Sequence, residues 1–165
     1  MKHYIFDLDG TLACGKHRLH LLPKKDLHLT ESWIEFNKAC KNDDPIIDTI
    51  HLMNDLYYCG GERHRVTILT GRSDDALTET VEWLAFNGCM YDDLVMRSKK
   101  DNRKDIIIKE EFLRDLGLGN IIACWDDSPE VIKHFRSLGL TTYQVCEHVD
   151  IHNRTDLKSH GVENL

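Results

Sequence analysis

The sequence predicts one α/β domain: a mainly parallel sheet of about five strands with helices on both faces. Three observations predict it. Short apolar runs alternate with longer segments of helical periodicity, so successive strands need crossovers and pair in parallel. Several runs end in Asp, Gly, Thr or Arg, as strands do where the chain turns at a sheet rim. The length of 165 residues with 41% hydrophobic content suffices for one core and no second domain, so 1–165 reads as a single unit.

The elements follow in order. His3-Tyr4-Ile5-Phe6 is a buried strand running into Asp7-Leu8-Asp9-Gly10-Thr11. Residues 14–44 separate it from the next helix and form an insertion, in which Thr30 is a candidate N-cap for a helix through about Lys41. Asp44-Pro45 can cap a helix carrying Ile46, Ile47, Ile50, Met53 and Leu56. Gly60-Gly61 breaks the chain before a second strand, Arg65 to Arg72. Ser73 or Asp74 caps a helix with Leu77, Val81, Leu84 and Ala85, which Gly88 stops. Leu94-Val95-Met96 is the third strand, and a helix from about Asn102 to Leu116 ends at Gly117. Ile121 to Trp125, a helix from Ser128-Pro129-Glu130 to Gly139, and Thr142 to Val145 complete the set.

Ligands of such sheets bind beyond the C-terminal strand ends. The ends present Asp7 and Asp9, then Thr70, Gly71 and Arg72, then Asp126 and Asp127, which meet on one rim if the strands are neighbours. Carboxylates crowded together repel unless protons or a cation neutralise them. A hard divalent cation with oxygen ligands, Mg²⁺ first, suits them. Thr70, Arg72 and the lysines of the third helix supply a hydroxyl, a bidentate guanidinium and an ammonium, which is what a phosphate needs. A metal, carboxylates and phosphate donors together imply phosphoryl transfer, with a carboxylate able to act as nucleophile. Taken singly, an Asp-x-Asp at a strand end is an ordinary turn; the ordered combination on three strand ends carries the reading.

Composition excludes several classes. The net charge of -7 argues against non-specific wrapping of duplex nucleic acid. No apolar run is long enough for a membrane span and no signal-peptide core follows Met1-Lys2-His3, so the chain reads as cytoplasmic, with no membrane partner. The six cysteines form no CxxC pair and are expected as reduced thiols, while His148, His152 and His160 beside Cys146 fit no tetrahedral zinc spacing. The tail after Cys146 shows no clear periodicity.

Asp7-Leu8-Asp9-Gly10-Thr11, Thr70, a helical lysine and Asp126-Asp127 resemble, in order, the four motifs of haloacid dehalogenase-like (HAD) phosphatases. The resemblance spans about residues 3 to 146. Its nearest form is the 3'-phosphatase domain of phage-type polynucleotide kinase-phosphatase, through Asp7-x-Asp9-Gly10-Thr11-Leu12-Ala13, Arg18, Gly71-Arg72, Arg103-Lys104-Asp105-Ile106-Ile107-Ile108-Lys109-Glu110-Glu111, and Asp126-Asp127 with Val131 and Gly139-x-x-x-x-x-Val145. The resemblance implies a Rossmann-like, HAD-like fold with a small helical cap after the first strand, and an Mg²⁺-dependent phosphomonoesterase working through an aspartyl-phosphate. It implies Asp7 as nucleophile and Asp9 as acid then base. Mg²⁺ would be held by Asp7, the Asp9 main-chain carbonyl and the Asp126-Asp127 pair. It implies Thr70 on a phosphate oxygen, Lys109 neutralising Asp7 and the transferring group, and Arg18 and the Gly71-Arg72 pair on the substrate phosphate. Asp105, one turn before Lys109, can orient its ammonium; Lys104 is the rival lysine.

The expected substrate is a phosphorylated nucleic-acid end, and the alternative is a 5'- or 3'-nucleotidase on free nucleotides. A phospho-accepting receiver domain is the rival of another class, disfavoured because Asp-x-Asp ends the first strand and not a middle one. There is no G-x-x-x-x-G-K-[ST] loop, so kinase activity is not expected and a separate kinase is a candidate partner; oligomeric state is not legible. In the cap, Trp33 and Phe36 are core residues at helical spacing or platforms for a base. Arg97 to Lys104 is the one basic cluster, either a solvated loop or a contact for a nucleic-acid backbone.

Overall fold

Residues Lys2–Phe6 form the first strand, β1, and its pleat sorts two cores in the computed structural model, which describes residues 1–146. After β1 come β2 (Ala13–Cys14), α1 (Ile34–Lys38), β3 (Asp44–Pro45), α2 (Ile47–Gly60), β4 (His64–Ser73) and α3 (Leu77–Phe86). The chain continues through β5 (Asp93–Arg97), α4 (Asp105–Leu116), β6 (Ile121–Asp126), α5 (Pro129–Ser137) and β7 (Thr142–Gln144). Phe6 of β1 and Val66 and Ile68 of β4 point to one face, where Ile50 and Met53 of α2 and Trp83 and Leu84 of α3 cover them. Ile5, Leu69 and Cys124 point to the other, against Leu113 of α4 and Val131 and Phe135 of α5. This is the period-two alternation of a sheet covered on both sides.

The main sheet has five strands in the order β5-β4-β1-β6-β7, every neighbouring pair parallel. Because β1 pairs with both β4 and β6, the segments that follow these three strands leave the sheet side by side. That is the placement the strand-end argument requires.

The cap differs from its expectation. Thr30 caps no long helix: its hydroxyl donates to the Asp101 carbonyl, and the segment is a 3-10 turn (Thr30–Trp33), the short α1, and a second 3-10 turn (Ala39–Asn42). Asp44-Pro45 does not cap α2 either. These residues pair antiparallel with Ala13-Cys14, and Ile46 N–H donates to the Leu12 carbonyl, so the two ends of the insertion are stitched together before α2 begins at Ile47. The helix expected from Asn102 begins at Asp105, because 98–104 is an irregular loop held by Arg97. Trp33 and Phe36 are buried and belong to the packing: Trp33 Nε1 donates to the Leu27 carbonyl, and the Phe36 ring lies 4.1 Å from the Arg18 guanidinium carbon.

Among the described residues the six cysteines form no disulfide, and burial pushes the thiols of Cys89 and Cys124 up to about 12, so both are unreactive at neutral pH. No helix of the described residues is long and apolar enough to cross a membrane. His148, His152 and His160 lie outside the described residues.

Candidate active site

Asp7 directly follows β1, Asp126 ends β6 and Asp127 follows it; all three are buried, and one carboxylate oxygen from each lies within 4.8 Å of the others. Lys109, buried on α4, reaches this group: its Nζ donates to Asp7 Oδ1 at 2.8 Å and to Asp126 Oδ2 at 3.1 Å. Asp105, one turn earlier on α4, lies 3.2 Å from the same ammonium, the (i, i+4) relation expected from the sequence. Lys109, not Lys104, therefore faces Asp7; Lys104 is the N-cap residue of α4.

Asp9 faces a different set of charges. Its carboxylate accepts from Arg72 Nη2 at 2.6 Å and Arg72 Nε at 3.2 Å, and from Arg18 Nη2 at 2.5 Å. Burial alone would push its carboxyl up, but the two guanidiniums outweigh it and hold the group well below the usual carboxylate range. Arg18 comes from the cap and is fully buried, so the insertion delivers a charge into the site as well as covering it.

Two glycines are fixed by close approach. Gly10 has φ +83°, and a Cβ there would lie 1.9 Å from Asp127 Oδ2. A Cβ on Gly71 would lie 2.4 Å from Asp105 Oδ1, so only glycine lets β4 pass this carboxylate. Thr70 is buried beside it, and its hydroxyl accepts from the Arg72 N–H at 3.1 Å, where β4 shifts register against β5.

Three residues that the sequence did not place at this site complete the constellation. Arg97, fully buried, donates to the carbonyls of Gly71 (3.0 Å), Asp101 (3.1 Å) and Arg103 (2.6 Å) and lies 3.4 Å from Asp105 Oδ1. It ends β5, so the strand-end rule that found Arg72 extends to it. Its burial removes it from the basic cluster as a surface contact, and Arg103 is engaged with Asp101 and Glu111. Asp43 and His17 join the Arg18 side of the site, Asp43 accepting from Arg18 Nε at 2.8 Å. No local pattern marks Asp43, whose partners are 25 and 29 positions away.

The donor set fits a hard divalent cation. Lys109 does not neutralise the trio: burial first, then repulsion from the neighbouring carboxylates, hold the Asp7 carboxyl well above its ordinary value and the Asp126 carboxyl up at about 6. A cation bound by oxygens relieves both terms. The folded protein without metal thus keeps protons that an unfolded chain has lost, so its stability falls as the pH rises from 3.8 through about 6. Added Mg²⁺ should raise the melting temperature little at pH about 4 and progressively more towards pH about 7. A melting temperature indifferent to Mg²⁺ at neutral pH would remove the metal from this trio.

A parallel five-stranded sheet, carboxylates on three sides of a buried lysine, and two arginines from the cap and β4 that meet Asp9 of the Asp-x-Asp loop define a HAD-type phosphatase. The profile of the polynucleotide kinase PNKP phosphatase domain matches residues 1–148, and the chain belongs to that family. It is 28% identical over 145 residues to a protein named as a bifunctional polynucleotide kinase/RNA ligase from Autographa californica nuclear polyhedrosis virus, covering 85% of this chain and 19% of that protein. A chain of the Pnkp1/Rnl/Hen1 RNA repair complex superposes with a TM-score of 0.68 at 27% identity, over 90% of this chain and 43% of that one. A haloacid dehalogenase-like hydrolase from Streptococcus pneumoniae shares the fold, with a TM-score of 0.62 at 14% identity over 94% and 91% of the two chains. The chain thus spans less than half the length of the first two.

Proposed function

We propose that this domain removes the 3'-phosphate from polynucleotide ends through a covalent phosphoryl-aspartate on Asp7. The observation that carries the reading is Asp7 beside the Lys109 ammonium at 2.8 Å, with buried Arg18 and Arg72 both donating to Asp9 two residues on; membership of the PNKP phosphatase-domain family supports the choice of substrate.

In this reading an Asp7 carboxylate oxygen attacks phosphorus as the bond to the 3'-oxygen breaks, and Asp9 gives that oxygen a proton. Asp9 then takes a proton from water, whose oxygen attacks the phosphoryl-aspartate and releases inorganic phosphate and Asp7. Asp7, the Asp9 carbonyl and the Asp126-Asp127 pair would hold Mg²⁺, whose positive charge would offset the repulsion between the carboxylates and the phosphate. Lys109 adds a fixed ammonium at the same place, and Asp105 holds that ammonium in line. Thr70 donates its hydroxyl to a phosphate oxygen.

Asp9 as an acid must carry a proton, whereas Arg18 and Arg72 keep it ionised before substrate arrives. The incoming phosphate competes with Asp9 for both guanidiniums. Once they turn to the phosphate, the carboxyl loses what depressed it and can hold the proton.

The test is Mg²⁺-dependent phosphate release from a 3'-phosphorylated oligonucleotide, its 5'-phosphorylated twin, and the 3'- and 5'-mononucleotides. Preference for the 3'-phosphorylated strand is expected. Preference for mononucleotides would make the enzyme a nucleotidase, and release from none would end the phosphatase reading. Similarity to part of a protein named as a bifunctional polynucleotide kinase/RNA ligase makes a polynucleotide kinase the partner to look for.

A further inference from the structure

We propose that Asp43, at the far end of the cap insertion, is a positioning residue that holds Arg18 and Arg72 from behind so that their free edges face the substrate's phosphate. The inference rests on the phosphatase reading for what the arginines bind, and on the geometry alone for what aims them.

The Asp43 side chain is 0% exposed and its carboxylate is shared among the side chains of Arg18, Arg72 and His17. Oδ1 accepts from Arg18 Nε at 2.8 Å and lies 2.8 Å from His17 Nε2; Oδ2 accepts from Arg18 Nη2 at 2.7 Å and lies 3.5 Å from Arg72 Nη2. The residue is itself pinned, since its carbonyl accepts from Trp83 Nε1 at 2.8 Å on the packed face of α3. The other rear contacts are equally fixed: Arg18 Nη1 donates to the Phe36 carbonyl at 3.0 Å, and Arg72 Nη1 donates to Thr80 Oγ1 at 3.0 Å.

Asp43, Arg18, Asp9 and Arg72 therefore close a ring of alternating charge with two unlike carboxylates. Asp9 is 35% exposed at its side chain, while Asp43 is sealed. A phosphate arriving from solvent can take the place of Asp9 but has no path to Asp43. Asp9 is the exchangeable partner of the arginines and Asp43 the permanent one. With only Asp9 present, two buried guanidiniums would turn wholly onto it, and a phosphate would have to break both forks. Asp43 takes Nε of Arg18 and shares its Nη2, and it stands behind Nη2 of Arg72, whose Nη1 is held by Thr80, so the donors now given to Asp9 are the ones left to exchange.

The test uses wild type, Asp43→Asn, Arg18→Ala and the double variant, with inorganic phosphate in Mg²⁺ as the binding probe and p-nitrophenyl phosphate as the turnover probe. Asp43→Asn should weaken phosphate binding about tenfold or more, as loss of a charge-assisted hydrogen bond does, and raise KM in parallel with a smaller fall in kcat. In the Arg18→Ala background the same change should weaken binding by less than about threefold, because the arginine that Asp43 holds with two close hydrogen bonds is gone and only its 3.5 Å contact with Arg72 remains. Asp43→Glu, which keeps the charge, should recover part of the loss and guards against a fold failure of the asparagine variant. Unchanged phosphate binding in Asp43→Asn, or losses that simply multiply in the double variant, would overturn the proposal. A wild type that binds phosphate but hydrolyses nothing would overturn the phosphatase reading and leave the anchor standing; a wild type that does not bind phosphate would overturn both.

Discussion

Replacing Asp7 by asparagine is expected to lower phosphate release at least about a thousandfold, on both p-nitrophenyl phosphate and a 3'-phosphorylated oligonucleotide, while the protein stays folded. The amide has the shape of the carboxylate but no nucleophilic oxygen, so the covalent step is lost for every substrate. Stability should change little, because two effects oppose each other. The variant loses one of three carboxylate partners of Lys109 Nζ, but it also removes one of three crowded carboxylates, and burial and repulsion already hold Asp7 well above its ordinary pKa. Retention of more than about a tenth of wild-type turnover, with an unchanged melting temperature, would show that another group accepts the phosphoryl.

Lys109→Met is expected to damage both stability and turnover. The methionine fills the channel along α4 but leaves Asp7 and Asp126 without their ammonium in a buried site. Removing one partner of a buried ion pair costs about 3–5 kcal/mol, against about 0–1 for an exposed pair such as Arg114–Glu110. Denaturant unfolding in chelator should show the loss, and Mg²⁺ should recover part of it by supplying the missing positive charge. Turnover should fall at least about a hundredfold even in saturating Mg²⁺, because a fixed charge aimed at the transferring phosphoryl is gone. Lys109→Arg should not restore it, since a planar fork cannot take the place of a point ammonium held among Asp7, Asp105 and Asp126. A methionine variant as stable as wild type in chelator would contradict the electrostatic account of the site.

What was legible in the sequence was whatever repeats locally. The five main strands and their four crossover helices follow from alternating apolar runs and from stops such as Gly88 and Gly139, and the carboxylates were visible because they sit immediately after their strands. The cap was less legible because tertiary bonds replace local ones there. Thr30 spends its hydroxyl on the Asp101 carbonyl instead of on a helix start, and Asp44-Pro45 pairs with Ala13-Cys14 instead of capping α2. The basic cluster misled for a related reason: Arg97 reads as surface charge in a run of Lys and Arg, yet it is buried and collects three carbonyls. Asp43 was silent altogether, because an aspartate in a charged insertion looks the same whether it meets water or two buried arginines.

The measurement that tests the central claim most directly is rapid acid quench of the wild-type reaction with a 3'-[³²P]phosphorylated oligonucleotide, beside Asp9→Asn with [³²P]p-nitrophenyl phosphate, whose leaving group needs no proton, followed by peptide mapping. The account predicts acid-stable label on the peptide that contains Asp7, absent when Asp7→Asn is introduced. Release of labelled phosphate without labelled protein at any time, or label on a peptide without Asp7, would contradict it.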